Sequence, residues 1–172
     1  FKIMNLKFQY RSANINEKAV KNLKNDKYDA LKIAKAKAAH LSKKNKNKII
    51  ITFDTTILHM RKTIYKCHTK KCCKNTLKSF NNTSHNLYTG MVFMINSSLI
   101  RSSLTKTKIV FKKNKIIDVN KYVERYFNQI SSAVGCYNVE GKGKTFFKNI
   151  ETSYFNVIGV DIINFLKILK SI

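Results

Sequence analysis

The stretch Ile49-Ile50-Ile51-Thr52-Phe53-Asp54-Thr55-Thr56-Ile57-Leu58 decides how this chain is read. β-Branched and aromatic residues dominate it, so it is expected to form a buried strand. It carries one carboxylate, Asp54, to the end of that strand, in a chain with only 9 acidic residues. A buried carboxylate is costly unless it is paired, hydrogen-bonded or holding a cation. The carboxyl end of a strand is also where open α/β sheets present ligand-binding groups. Asp54 therefore either caps the turn after its strand, helped by the hydroxyls of Thr55 and Thr56, or is the first candidate for chemistry.

Upstream of this strand, Tyr28, Leu31, Ala34, Ala38 and Leu41 recur at spacings of three and four while Lys fills the opposite face, which predicts a helix from Tyr28 to Leu41. Lys18 to Asn22 reads as a second helix, and Lys7 to Tyr10 as a short strand before a polar turn through Ser12 to Asn16. Downstream, the lysine-rich patch Lys62 to Lys78 contains a helix whose apolar side holds Cys73, Leu77 and Phe80. Two strands follow, Asn86 to Ile95 and Ser102 to Phe111, joined through Asn96 to Ser98 as a hairpin. Asp118 is expected to N-cap a helix through Tyr122 and Phe127, and Asp161 a last helix, with a β-rich segment from Thr145 to Ile150 between them. Alternating helices and strands around a hairpin give the α/β class, with a mixed twisted sheet flanked by helices.

The chain has 172 residues, 44% of them hydrophobic, enough for one domain with its own core. Its net charge of +25 comes from 34 basic residues, of which 30 are Lys and only Arg11, Arg61, Arg101 and Arg125 are Arg. Dedicated nucleic-acid readers invest in the bidentate Arg fork, so this is not their profile. Zero Pro, zero Trp and an abundance of Lys, Asn, Ile, Phe and Tyr are what A+T-rich codons impose. The positive field still steers anionic ligands inward. No window reaches the roughly 18 uncharged apolar residues of a membrane span, and FKIMNLKF has no signal-peptide pattern. The adjacent Cys72 and Cys73 do not easily bridge to each other, and no disulfide framework is expected. The expected compartment is therefore the cytoplasm. The chain starts at Phe1 and not at Met, so it reads as an N-terminally shortened fragment.

Three further motifs have plain structural readings beside the chemical ones. Cys67 to Cys73, CHTKKCC, offers three thiols and an imidazole, the ligand types zinc prefers. It lacks the spaced ligand pairs of a zinc site, and Lys66, Lys70 and Lys71 would repel a cation, so a helix with incidental cysteines is favoured. GKGKT, from Gly141 to Thr145, resembles a phosphate loop, but that motif needs a Gly where this chain has Asn138. His85, at the entrance to a strand, is expected to be structural.

Taken in order, several segments resemble the Maf family of nucleoside triphosphate pyrophosphatases, over nearly the full length of the chain. They are Asn14 to Val20 (NINEKAV), Leu31 to Leu41 (LKIAKAKAAHL), Ile49 to Leu58, and Lys66 ahead of Leu77 to Gly90 (LKSFNNTSHNLYTG). The C-terminal half adds Thr105 to Phe111 (TKTKIVF), Val134 to Glu151 (VGCYNVEGKGKTFFKNIE) and Phe155 to Leu166 (FNVIGVDIINFL).

The resemblance implies a fold of the Maf and inosine triphosphatase type. It also implies hydrolysis of a nucleoside triphosphate to the monophosphate and pyrophosphate, assisted by Mg²⁺ or Mn²⁺. Asp54 matches the family's essential acid, which binds the metal or activates water, and Glu17 matches a second acid at the metal. Lys37 and Lys66 match its phosphate-facing lysines, and Glu140 stands at the Gln or Glu beside a conserved Gly, here Gly141. Carboxylates hold a hard cation through oxygen, and cation and lysines together neutralise phosphate charge. The resemblance further implies that the family's first strand and S-x-S-P-R-R phosphate loop lie outside these 172 residues; the family commonly forms homodimers, which this sequence neither supports nor excludes.

Departures from the family pattern are Tyr65-Lys66-Cys67 in place of Gly-Lys-Pro and Val160-Asp161 in place of Leu-Pro. The FDTT form around Asp54 is nearer the family's dTTP/UTP branch. VEG at Val139 to Gly141 is nearer its 7-methyl-GTP branch, because a glutamate accepts two hydrogen bonds from a guanine edge; that branch is weakly favoured. The alternative is a catalytically impaired, basic protein that binds nucleotide or nucleic acid non-specifically through its charge.

Overall fold

The structure is a computed structural model that describes residues 7–20, 26–152 and 154–171. The apolar run forms β1 (Ile50–His59), and its neighbour along the chain is a three-residue strand, β2 (Lys62–Ile64), hidden in the lysine-rich patch. The expected hairpin is β3 (Ser84–Ile95) with β4 (Ser98–Phe111), longer at its start than the sequence indicated. With β5 (Phe147–Glu151) these strands make one sheet in the order β2-β1-β3-β4-β5. Every pairing among the described strands is antiparallel.

Helices cover both faces of the sheet. They are α1 (Asp29–Lys44), α2 (Lys70–Phe80), α3 (Ile116–Ile130), the single turn α4 (Tyr154–Val157) and α5 (Ile162–Leu169). Because strand side chains alternate, Ile50, Thr52 and Asp54 share a face with their cross-strand partners Met94, Val92 and Gly90. Onto that face α1 packs a small-residue stripe, with Ala34 and Ala38 against Val92 and Met94. The opposite face carries Phe53, Met91 and Phe93 against Phe165 of α5. Further along it, Ile57 and Leu87 join Leu77 and Phe80 of α2 and Val119 and Val123 of α3 in the main core. Burying each such large side chain contributes about 1.5–3 kcal/mol.

Several local expectations are corrected by the physics of the whole. Lys7 to Tyr10 is not a strand but extended chain outside the sheet, and Tyr10 is 91% exposed. The expected helix from Lys18 is a 3₁₀ turn at Glu17–Ala19, N-capped by Asn16, and residues 21 and 22 lie outside the described residues. Asp118 sits in the first turn of α3 while Lys115 holds the N-cap position, so the acid acts on the helix dipole and not as a cap. Asp161 does cap α5, accepting from the Asn164 backbone N–H. GKGKT is no phosphate loop: a 3₁₀ turn spans Lys142–Phe146, and a Cβ on Gly143 would lie 2.4 Å from the Asn138 carbonyl oxygen. Cys67 and Cys72 are joined as a disulfide, which the sequence reading did not expect. No helix among the described residues is long and apolar enough to cross a membrane.

Candidate functional site

Asp54 lies in the middle of β1, opposite Gly90, and not at a strand end. The turn-capping reading therefore fails, because the residues on both sides of Asp54 are paired in the ladder. Its side chain is 9% exposed and points to the face that α1 covers. Two features fix α1 there. The Thr52 hydroxyl donates to the Ala34 carbonyl oxygen at 2.7 Å, and Gly90 admits the helix backbone, since a Cβ on it would lie 2.6 Å from the Leu31 nitrogen.

This docking brings Lys37 of α1 to the strand. Its ammonium lies 2.6 Å from Asp54 Oδ1 and 2.7 Å from Glu17 Oε1, so one cation bridges both acids. The three side chains form a gradient from interior to solvent, Asp54 at 9%, Lys37 at 20% and Glu17 at 41% exposure. Glu17 reaches inward from its 3₁₀ turn, whose Asn16 cap accepts from the Lys18 backbone N–H.

The charges are out of their ordinary range. Burial raises the Asp54 carboxyl to about 6, opposed first by the Lys37 hydrogen bond and charge and more weakly by the charge of Lys66, while Glu17 adds to the rise. Burial acts to lower Lys37, but its hydrogen bonds to Asp54 and Glu17 outweigh that and hold its pKa above the usual lysine value. Lys66, exposed beyond β2, thus belongs to the same electrostatic unit. Of the five residues singled out in the sequence, Glu17, Lys37 and Asp54 are joined by ion pairs, while Lys66 acts on Asp54 through its charge alone.

Glu140 stands apart from them. It is exposed on the loop after Tyr137, its backbone N–H donates to Asn138 Oδ1, and among the described residues no hydrogen bond or ion pair joins it to the other four. Thr56 entered the sequence reading only as a helper of a turn cap at Asp54. It shares the Asp54 face two residues on, is 7% exposed, and its hydroxyl has no hydrogen-bond partner among the described residues. The signal was present as a polar residue at every second position of an apolar run: Thr52, Asp54, Thr56.

The pattern of the family described as Maf-like protein matches residues 1–172. The chain belongs to the Maf family. Among its relatives, the dTTP/UTP pyrophosphatase of Clostridium botulinum (strain Okra / Type B1) is 27% identical over 157 residues, spanning 89% of this chain and 80% of that protein. The 7-methyl-GTP pyrophosphatase of Brucella suis biovar 1 (strain 1330) is 25% identical over 170 residues, spanning 96% of this chain and 85% of its own length. The dTTP/UTP pyrophosphatase of Pyrococcus furiosus is 28% identical over 158 residues, 92% of this chain and 81% of that protein.

In this Maf-family chain, the donor set suits a hard divalent cation. Asp54 and Glu17 already aim carboxylate oxygens at one cationic position, which the Lys37 ammonium fills. Mg²⁺ and Mn²⁺ prefer oxygen ligands, and Mg²⁺ in particular binds through one or two carboxylates and takes its remaining ligands from water and substrate phosphate.

Proposed function

We propose that this chain hydrolyses a nucleoside triphosphate to the monophosphate and pyrophosphate, with Asp54, Glu17, Lys37 and Lys66 as its working residues. The observation that carries the proposal is the single ammonium of Lys37 shared by Asp54 and Glu17. The names of the relatives, pyrophosphatases of dTTP/UTP and of 7-methyl-GTP, support the reaction class.

In this reading Asp54 and Glu17 would hold Mg²⁺ or Mn²⁺. When bound, such a cation draws charge from the phosphate oxygens and positions the attacking water. Lys37 and Lys66 neutralise the triphosphate, and Lys37 additionally keeps the two carboxylates converged before substrate arrives. Asp54, raised to about 6, is ionised at neutral pH yet basic enough to accept a proton from water. Water adds to the α-phosphorus, the α–β bridging bond breaks, and pyrophosphate leaves with the bridging oxygen.

For the base, the chemistry of Glu140 supports 7-methyl-GTP over dTTP and UTP. A carboxylate accepts from both donors of a guanine edge, whereas a glutamine presents one donor and one acceptor to a pyrimidine. The experiment is pyrophosphate release from 7-methyl-GTP, GTP, dTTP and UTP with Mg²⁺ or Mn²⁺, for the wild type and Asp54→Asn. Metal-dependent release that disappears in the mutant supports the reading. Absence of release from all four, together with salt-sensitive retention on DNA that Asp54→Asn leaves unchanged, would favour a basic binding protein in its place.

A further inference from the structure

Three of the four cysteines of the chain meet in the main core, and the fourth, the exposed Cys72, is bonded to one of them. Cys67 and Cys73 are buried, the first before α2 and the second in its first turn. Cys136 reaches them from the turn after α3. The sulfurs of Cys67, Cys73 and Cys136 all lie within 4.8 Å of one another, and Cys72 is bonded to Cys67. The Cys136 sulfur also accepts the backbone N–H of Cys67 and shares a hydrogen bond with Cys73.

The backbone is bent to put Cys136 there. Gly135 has φ +85° and Cys136 itself φ +60°, a left-handed conformation that costs a non-glycine residue about 1–2 kcal/mol. Tetrahedral thiolate sites with bonds of about 2.3 Å place their sulfurs about 3.8 Å apart. The three thiols need draw in by only about 1 Å to reach that spacing.

We propose that the reduced chain binds one zinc-class cation on Cys67, Cys73 and Cys136, with Cys72 as the fourth thiolate. The lone CHTKKCC segment lacks paired ligands, but the fold supplies the missing one from Cys136. The flanking lysines do not oppose the site either. Four thiolates around a divalent ion carry a net charge of −2, which basic residues near it in sequence do not oppose.

The disulfide and the metal exclude each other, because the Cys67–Cys72 bond uses two of the ligands. A phosphine reductant opens that bond by taking oxygen from water to become the phosphine oxide, leaving two thiols; two molecules of a cellular thiol do the same and leave joined as their own disulfide. The cation then displaces one proton from each thiol it takes. The site would tie together the segment after Lys66, the start of α2 and the turn after α3.

The test is titration of the phosphine-reduced chain with Co²⁺ under argon, followed by Zn²⁺. The expected result is one equivalent of Co²⁺ giving thiolate charge-transfer bands and an intense tetrahedral visible spectrum, bleached by one equivalent of Zn²⁺. Cys136→Ser and Cys73→Ser should each weaken binding at least tenfold, and the unreduced chain should show no such spectrum. A weak, octahedral-type spectrum from the reduced wild type, or unchanged binding by Cys136→Ser, overturns the proposal. If the serine variants do not fold, Zn²⁺ should still slow alkylation of all four wild-type thiols, and equal alkylation rates with and without it overturn the proposal equally. Neither readout depends on nucleotide hydrolysis.

Discussion

Gly90 is the cross-strand partner of Asp54, and the space its missing side chain would fill is occupied by the backbone of Leu31 in α1. The residue opposite the acid therefore sets how closely the helix carrying Lys37 approaches the sheet. A Cβ at Gly90 would meet Leu31 N and Cα at 2.6 Å, and backbone atoms cannot rotate out of the way as a flexible side chain can. Gly90→Ala should destabilise the chain by about 1–3 kcal/mol. It should also lower pyrophosphate release more than a comparable clash elsewhere, because the helix must slide and carry Lys37 from Asp54. Chemical denaturation and steady-state rates on the same preparation check both, and an unchanged rate in a destabilised variant would separate the helix position from the activity.

Lys37 and Lys66 both lower the carboxyl of Asp54 against the effect of burial, Lys37 more strongly. If ionised Asp54 is required, kcat/KM should fall on acidification through about pH 6, the value for the free protein. Removing a lysine removes a lowering influence, so Lys37→Gln should move this acid limb to higher pH. Lys66→Gln should move it the same way by less. Profiles of kcat/KM measured for all three proteins at constant ionic strength give the comparison, and a limb that stays in place in Lys37→Gln would exclude Asp54 as the titrating group.

The hydroxyl of Thr56, unpartnered among the described residues, separates stability from function at one position. A buried hydroxyl without a partner is a cost to folding, and Val has nearly the same shape. Thr56→Val should leave the melting temperature unchanged or raise it. If the hydroxyl serves the Asp54 face, pyrophosphate release should nevertheless drop severalfold. A variant that melts higher and works as well as the wild type would make Thr56 a packing residue.

Local pattern made the centre of this fold legible, and long-range contact decided what pattern could not. The β-branched run, the Ala stripe of α1 and the β3–β4 hairpin were readable because burial on one face imposes a period of two or 3.6 on the residues themselves. β2 was not, since Lys62-Thr63-Ile64 is too short to show a period and is a strand only because β1 pairs with it. Asp54 drew attention as a lone acid, but its mid-strand position depends on register with Gly90. Family resemblance supplied Glu17, Lys37 and Lys66, which no spacing rule joins to Asp54. The meeting of Cys136 with Cys67 and Cys73 was invisible for the same reason, being a contact between segments far apart in sequence.

His85 tests the buried polar side of that core. It is packed among Phe80, Phe111 and Tyr137, and its Nε2 lies 2.8 Å from the Tyr137 hydroxyl. Burial, aided by nearby His59, lowers its pKa from 6.5 to about 3, so the folded chain keeps it neutral. The unfolded chain takes up a proton near pH 6.5, where the folded one does not. The stability His85 provides is thus complete above about pH 6.5 and is lost as pH falls toward 3, at a slope approaching 1.4 kcal/mol per pH unit. His85→Phe fits the aromatic cluster but leaves the Tyr137 hydroxyl without its partner, costing about 1–2 kcal/mol near neutrality. Its stability should then fall less steeply than that of the wild type between pH 6 and 4, so that the two curves cross on acidification. Urea unfolding at half-unit pH steps measures both slopes. Parallel curves would mean that the proton driving acid unfolding goes to a different group.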